Sequence, residues 1–263
     1  MKIIPKKSLG QNFLIDKNII EKICNAGNLN FNDNVLEIGP GTGNLTEFIL
    51  QKKPKNFYII EKDIRLIKYL NERFDKKITI INEDILKYDL KLLSDKNLII
   101  FGNLPYNISS QILVNFINYS FSKFSYKKLV LMFQKEVADR ILAKDNSKNY
   151  GRLSIFSSWK LEIKKIMDIN PSSFFPKPKI MSSLLVFEPK INYIKFKNSK
   201  NLEHVTNIFF NQRRKMIKKP LNILFKNSKK IIDELDLDVN LRPQNLKKDT
   251  FYKICLIYEK LTK

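Results

Sequence analysis

The chain has 263 residues and carries 48 Lys+Arg against 26 Asp+Glu, a formal net charge of +22. With 43% hydrophobic and 11% aromatic residues it can bury a substantial core, which excludes a wholly disordered chain. A pI near 9.8 points to a polyanionic partner, nucleic acid or an anionic membrane surface, and says nothing about chemistry.

The two cysteines, Cys24 and Cys255, lie far apart without metal-ligand spacing, so neither a disulfide framework nor a zinc cluster is expected. The single histidine, His204, makes His-dependent triads and multi-His metal sites poor candidates and is expected on a surface or packed against a helix. No metal is expected. The basic start, Met1–Lys7, is followed by no apolar stretch of signal-peptide length. No apolar run reaches about 18 residues, so no spanning helix is expected and the composition fits a cytoplasmic protein.

In chain order, Asn34–Gly39 is a buried-strand pattern ending in glycine, and Thr42–Gln51 has helical periodicity. Phe57–Glu61 predicts a second strand, Ile64–Phe74 a helix, and Ile78–Ile81 a third strand. Asn97–Gly102 predicts a fourth strand, Ser110–Tyr119 a helix, and Lys128–Gln134 a fifth strand. Strands alternating with helices imply a parallel, doubly wound α/β sheet with its ligand at the carboxyl ends of the strands. Two later apolar runs, Ile163–Ile169 and Ser183–Phe187, flank Pro171, Pro176 and Pro178 and predict a closing β-hairpin with a proline-stiffened connection.

Beyond Pro189 the pattern changes to short amphipathic helices without glycine, at 201–211, 214–226, 228–235 and 249–262. A boundary near residue 190 is therefore expected, dividing a catalytic domain, 1–190, from a helical one, 191–263. Residues 190–263 carry 18 Lys+Arg and 7 Asp+Glu, a net +11 in 74 residues, and the other 189 residues carry the remaining +11. A uniform compositional bias does not produce that contrast.

Glu37-Ile38-Gly39-Pro40-Gly41-Thr42-Gly43 falls between the first strand and first helix. Glycine there permits positive φ and close approach of a ligand to the backbone, although a plain tight turn has the same look. Glu61 ends the second strand, where a carboxylate can accept from both hydroxyls of a ribose. Asp84 ends the third strand in Asn82-Glu83-Asp84-Ile85, where it can accept from an adenine amino group. Each acid alone is more often a solvated loop charge; together with the glycine turn, each at the carboxyl end of a strand, they favour a cofactor built on ribose and adenine.

Gly102-Asn103-Leu104-Pro105-Tyr106-Asn107-Ile108 follows the fourth strand. Asn-Leu-Pro is acceptable turn chemistry. It is also the Asn-Leu-Pro-Tyr form of a motif used by amino methyltransferases. The lone pair of an exocyclic adenine amine is delocalised into the ring, so the amine is a poor nucleophile. Two N–H acceptors, the Asn103 amide oxygen and the Leu104 carbonyl, polarise it; Pro105 fixes the turn and Tyr106 offers a face for an extruded base.

These segments occur in order with Gln11-Asn12-Phe13-Leu14, Gln134-Lys135-Glu136-Val137, Tyr150-Gly151-Arg152-Leu153-Ser154, Phe174-Phe175-Pro176-Lys177-Pro178-Lys179 and Asn211-Gln212-Arg213-Arg214-Lys215. Over nearly its whole length the chain resembles the ribosomal RNA adenine N6,N6-dimethyltransferases, the family of the bacterial kasugamycin-sensitivity enzyme. The resemblance implies a Rossmann-like class I methyltransferase sheet with a small C-terminal all-helical domain, and S-adenosyl-L-methionine as cofactor. It also implies dimethylation of two adjacent adenines in the 3′-terminal hairpin loop of small-subunit (16S) rRNA, within an assembling 30S particle and by a monomer.

The family's cofactor positions carry over to Asn12, Leu14, Gly39, Glu61, Asp84 and Asn103, with Gly41 in the same turn. Phe174 is expected as a second stacking face opposite Tyr106, or else as a core aromatic beside the prolines. Arg213, Arg214 and Lys215, with Lys218 and Lys219, are expected at a helix start that grips RNA phosphate, or else form a solvated charged face; Lys6 and Lys7 can add a contact. The rival readings are a methyltransferase of one large-subunit rRNA adenine, a DNA adenine methyltransferase, and a binding protein that keeps only the fold. The intact Asn103-Leu104-Pro105-Tyr106, Glu61 and Asp84 argue against the last.

Overall fold

The structure, a computed structural model, describes residues 3–93, 97–119 and 125–262, so Met1 and Lys2 of the basic start lie outside the described residues. In chain order the first elements are β1 (Phe13–Leu14), α1 (Lys17–Gly27), β2 (Asn34–Ile38), α2 (Asn44–Gln51), β3 (Asn56–Glu61), α3 (Ile64–Phe74) and β4 (Thr79–Asn82). There follow β5 (Leu98–Asn103), α4 (Ser109–Asn118), β6 (Tyr126–Gln134), α5 (Lys135–Leu142) and α6 (Arg152–Lys160). β7 (Leu161–Ile169), β8 (Phe174–Phe175) and β9 (Ser182–Pro189) precede α7 (Ser199–Asn211), α8 (Lys218–Leu224), α9 (Ser228–Leu235) and α10 (Lys248–Leu261).

The main sheet runs β4-β3-β2-β5-β6-β9-β7. Its first five strands are parallel, while β9 lies antiparallel to both β6 and β7. Strands buried on both faces need uninterrupted apolar runs. β5 supplies one, with Leu98, Ile99, Ile100 and Phe101 buried, and in β2 Val35, Leu36 and Ile38 are buried on either side of the acid Glu37. From β2 the chain winds one way to β3 and β4, then returns to place β5 and β6 on the other side. The order therefore reverses between β2 and β5, which is where an open α/β sheet leaves a crevice for a ligand. The register sets Ile38 opposite Gly102, so the turn after β2 and the turn after β5 emerge side by side.

The expected hairpin of the two late runs forms as β7 and β9, but β9 inserts between β6 and β7 rather than adding outside them. A two-stranded ribbon of β1 and β8 lies apart from the sheet, pairing Phe13 with Phe175 and Leu14 with Phe174.

The chain divides into two compact units, Met1–Ala138 with Leu161–Pro189, and Asp139–Lys160 with Lys190–Lys263. A single boundary near 190, as expected from composition, differs from this division at residues 139–160. The cause is aromatic packing within the second unit. Trp159 of α6 stacks 5.0 Å from Phe196, the Tyr150 ring lies 6.2 Å from Phe210 of α7, and Tyr252 of α10 donates to the Ile155 carbonyl at 2.8 Å. Such ring pairs and the burial of large aromatic area outweigh sequence proximity to β7. His204 is exposed and stacks 5.5 Å from Tyr258. Among the described residues no helix is long and apolar enough to cross a membrane.

Candidate functional site

The glycine turn after β2 is built by left-handed backbone, with φ of +65° at Gly39, +60° at Gly41 and +78° at Gly43. L-residues other than Gly, Asn and Asp rarely adopt it. At Gly41 a second constraint adds to the first, because a Cβ there would lie 2.8 Å from the Phe13 ring. The turn leads into α2, whose first residue, Asn44, donates to the Leu14 carbonyl at 2.7 Å. Residues 8–14, the glycine turn, the ends of β3 and β4 and the turn after β5 line one continuous cleft.

Asn12, Leu14, Gly39, Gly41, Glu61, Asp84 and Asn103 all border this cleft, as do Leu104, Pro105 and Tyr106. Glu61 is buried at the end of β3. Its Oε1 accepts from the Lys62 and Asp63 amides at 2.9 and 2.8 Å. Burial raises its pKa, opposed by those amides and by a third from Gly41. Asp84 accepts from the Leu86 amide at 3.0 Å and pairs with the Lys62 ammonium at 2.7 Å. Partial burial acts against its charge, but Lys62 and the Leu86 amide outweigh it and lower the pKa.

Glu37, which the sequence showed only as part of the glycine motif, is a further acid of the cleft. It is buried and takes a hydrogen bond from the Thr46 hydroxyl at 2.6 Å. Burial pushes its pKa up to about 8, Thr46 opposes this, and Glu61 adds to it.

Asn103 ends β5, and its side-chain nitrogen donates to the Asn12 carbonyl at 2.8 Å. A carbonyl accepts only from the NH2 half of an amide, so this bond fixes which way the group points. The amide oxygen is left to accept from a ligand. Leu104 is buried, its side chain folded over Gly102, so that the Leu104–Pro105 stretch presents backbone to the cleft. The Ile108 amide closes the turn on the Pro105 carbonyl at 3.1 Å. Tyr106 is half-buried, and its hydroxyl shares a 2.7 Å hydrogen bond with Ser182 at the start of β9.

Phe174 is not brought to this site. It is 3% exposed and belongs to the core with Leu14, Ile169 and Leu184, whereas Phe175 is 57% exposed. Successive residues of a strand face opposite ways, so β8 presents one ring inward and the other outward. The reading of Phe174 as a second stacking face is therefore corrected: it packs as a core aromatic beside the prolines.

In the second unit, Arg214, Lys215, Lys218, Lys219 and Arg242 line a surface groove. Arg213 stands differently: its guanidinium donates to the Lys148 carbonyl and, at 3.3 Å, to Gln244. Arg213–Lys215 lie in the turn between α7 and α8, ahead of a helix that begins at Lys218 rather than in the expected helix start. Sequence reading did not find Arg242, whose only signal was its charge.

S-adenosylmethionine fits these residues. Its ribose diol needs a buried acceptor, which Glu61 supplies, and its close approach needs the Cβ-free turn at Gly41. Its sulfonium and ammonium charges suit a cleft where burial holds the Glu37 and Glu61 carboxyls above their ordinary pKa and Glu61 adds to the rise at Glu37. No cluster of three or more metal-ligating side chains occurs among the described residues. Burial pushes the Cys24 thiol up to about 11 and the Cys255 thiol up to about 12, which removes both as nucleophiles.

Comparison with known proteins agrees with this geometry. The chain is 57% identical over 256 residues to the ribosomal RNA small subunit methyltransferase A of Pelagibacter ubique, covering 97% of each chain. Among solved structures it is similar to a dimethyladenosine transferase from Plasmodium falciparum, with TM-score 0.81, 29% identity, and coverage of 94% of this chain and 98% of the other. The 23S rRNA methyltransferase ErmE shares the fold, with TM-score 0.70, 20% identity, and coverage of 96% and 100%. The model of the family described as ribosomal RNA adenine dimethylase matches residues 5–262. With a match that runs through both units and takes in the cleft and the groove, the chain belongs to the ribosomal RNA adenine dimethylase family.

Proposed function

We propose that the chain transfers methyl groups from S-adenosylmethionine to the N6 amines of two adjacent adenines in the 3′-terminal hairpin loop of small-subunit rRNA. It acts as a monomer in the cytoplasm, on an assembling 30S particle. One observation carries the reading most strongly: the Asn103 amide is tied by its nitrogen to Asn12, so its oxygen is held ready as an acceptor beside the glycine turn.

The cofactor supplies an electrophilic methyl group on a positively charged sulfur. With the cofactor bound, an adenine amine held in line with that methyl would form the N–C bond as the S–C bond broke, and the surplus proton on nitrogen would pass to water. Asn103 Oδ1 and the Leu104 carbonyl accept the two N–H bonds of the amine, which draws its lone pair out of conjugation. Tyr106 carries the base on its ring, its hydroxyl pinned by Ser182. Glu61 would hold the ribose of the cofactor and Asp84 its adenine amino group. Positioning of this kind supplies up to about 7–11 kcal/mol in well-aligned systems, so no strong general base is required.

Arg214 and Lys215 are the RNA contacts of the second unit, with Lys218, Lys219 and Arg242 in the same groove. Arg213 shapes the turn that presents them. The test is to incubate unmodified small subunits with labelled S-adenosylmethionine and map the modified bases. Two adjacent dimethyladenines in the 3′-terminal hairpin are expected; label in large-subunit RNA or DNA would overturn the substrate.

A further inference from the structure

Residues 4–12 form an arm whose later part, Ser8–Asn12, borders the cleft, and it is tied down by bonds at Ile4, Gln11 and Asn12, of which those of Ile4 and Gln11 are separate from the proposed cofactor contacts. Gln11 donates from Nε2 to Asp63 Oδ2 at 3.0 Å, and its Oε1 accepts from the Lys6 amide at 2.7 Å. Asp63 is 3% exposed and caps α3. Its second partner, Arg65, donates to Oδ2 from Nη2 at 2.6 Å and reaches the Ile4 carbonyl from Nη1 at 3.2 Å. The next residue, Asn12, holds the Asn103 amide through its carbonyl at 2.8 Å, and its Nδ2 donates to the Gly10 carbonyl at 3.2 Å.

The Asp63 amide donates to the Glu61 carboxylate at 2.8 Å. One short chain of bonds therefore connects the acid at the end of β3, through Asp63, Gln11 and Asn12, to Asn103 on β5. Residues 8–14 form a wall of the cleft. A ligand buried behind that wall exchanges only when the wall moves.

We propose that Gln11 and Asp63 are positioning residues that clasp the arm over the cofactor and so hold the Asn103 amide in its accepting orientation. Opening of this clasp gates cofactor exchange. The role given to Asn103 rests on the function proposed above; the clasp itself does not. Asp63 is the fixed half, because Arg65 and the α3 cap hold it whether or not the arm is in place. Gln11, half-exposed and on a loop, is the half that moves.

The experiment uses the full chain and Gln11→Met, which keeps the volume of the side chain and removes both hydrogen bonds. Three quantities are read: the dissociation rate of S-adenosylmethionine by stopped flow, tryptic cleavage after Lys6 and Lys7 with and without S-adenosylmethionine, and kcat separately from KM for the small subunit. In the unmutated chain, S-adenosylmethionine slows cleavage of the arm. In Gln11→Met the cofactor leaves about tenfold faster, as the loss of a hydrogen bond to a charged acceptor implies. Protection of Lys6 and Lys7 is reduced and kcat falls, while KM for the small subunit and the melting temperature stay near the unmutated values.

Cofactor dissociation and arm protection unchanged in Gln11→Met would overturn the clasp. A rise in KM alone would overturn the link to Asn103. Absence of methyl transfer to any RNA, with arm protection by S-adenosylmethionine intact, would overturn the proposed function and leave the clasp standing.

Discussion

The cleft of the first unit and the basic groove of the second solve opposite problems with polar side chains. In the cleft each one already has a protein partner: Asn103 has Asn12, Asp84 has Lys62, Glu37 has Thr46, and Tyr106 has Ser182. In the groove Arg214, Lys215, Lys218 and Lys219 are exposed, and among the described residues no ion pair engages them. Chemistry on a weak nucleophile needs acceptors fixed before the substrate arrives, since reorganisation during reaction is what preorganised dipoles avoid. Phosphate binding needs mobile charge that tolerates many geometries and yields to salt.

The contrast predicts that substitutions in the cleft lower turnover with little effect on RNA affinity, and that those in the groove do the reverse. The largest effect is expected at Asn103. Asn103→Ala should lower kcat on the order of 10²–10³-fold or more, as loss of a preorganised partner does elsewhere, while filter binding of small subunits stays intact. Full activity in that variant would remove Asn103 from the mechanism. Next, Tyr106→Ala should cost roughly 10–100-fold in kcat and Tyr106→Phe much less, because ring stacking is worth about 1–3 kcal/mol per base and the hydroxyl only pins the ring. Equal losses in the two variants would transfer the role from the ring to the Ser182 bond.

Glu37 tests whether the cleft is built for a cation. Its folded pKa of about 8 lies above the ordinary 4.5, so the folded state binds the extra proton between those values. Stability contributed there is present at low pH and lost as pH rises toward 8. The unmutated chain without cofactor should lose on the order of 1–2 kcal/mol between about pH 6 and pH 8, by thermal melts, and Glu37→Gln should flatten that slope. S-adenosylmethionine should displace a proton from Glu37, visible by calorimetry in buffers of different ionisation heat. The smallest effect is expected in the groove. Arg214→Ala with Lys215→Ala should weaken small-subunit binding about tenfold in 0.15 M salt, with kcat unchanged. The same pair should reduce the salt slope by roughly one for each phosphate that the groove no longer neutralises.

Residues that act through local pattern are legible in the amino-acid sequence. β2, β3 and β5 are short apolar runs bounded by turns, and periodicity alone places α3 at Ile64–Phe74, its observed limits. Glu61 and Asp84 stand out because a parallel sheet places strand ends on one rim. Three helices, α1, α5 and α6, were not expected. α1 carries a readable sign, an Asp16 cap before Ile20, Ile23 and Cys24 on one face. α6 carries none, since its buried residues include Ser154, Ser157 and Lys160 beside Ile155 and Phe156, and periodicity disappears when a helix is enclosed on most sides. The bonds from Gln11 to Asp63 and from Tyr106 to Ser182 span 52 and 76 residues, and no window of sequence contains both partners. Phe174 and Phe175 illustrate a further limit: adjacent identical residues carry no mark of which one faces the core.

The insertion of β9 between β6 and β7 has a consequence for how the chain is made. As synthesis proceeds, the five parallel strands emerge first, and β6 presents an open edge until residues 182–189 arrive to cover it. Long-range pairing of this kind is slow, and an unpaired edge is the surface most prone to wrong association. Ser182 heads the strand that closes the gap, so the anchor of the Tyr106 hydroxyl arrives with that closure. The growing polypeptide thus completes the rest of its cleft before that anchor, and a nascent chain halted short of β9 would be open along its sheet and loose at the Tyr106 ring.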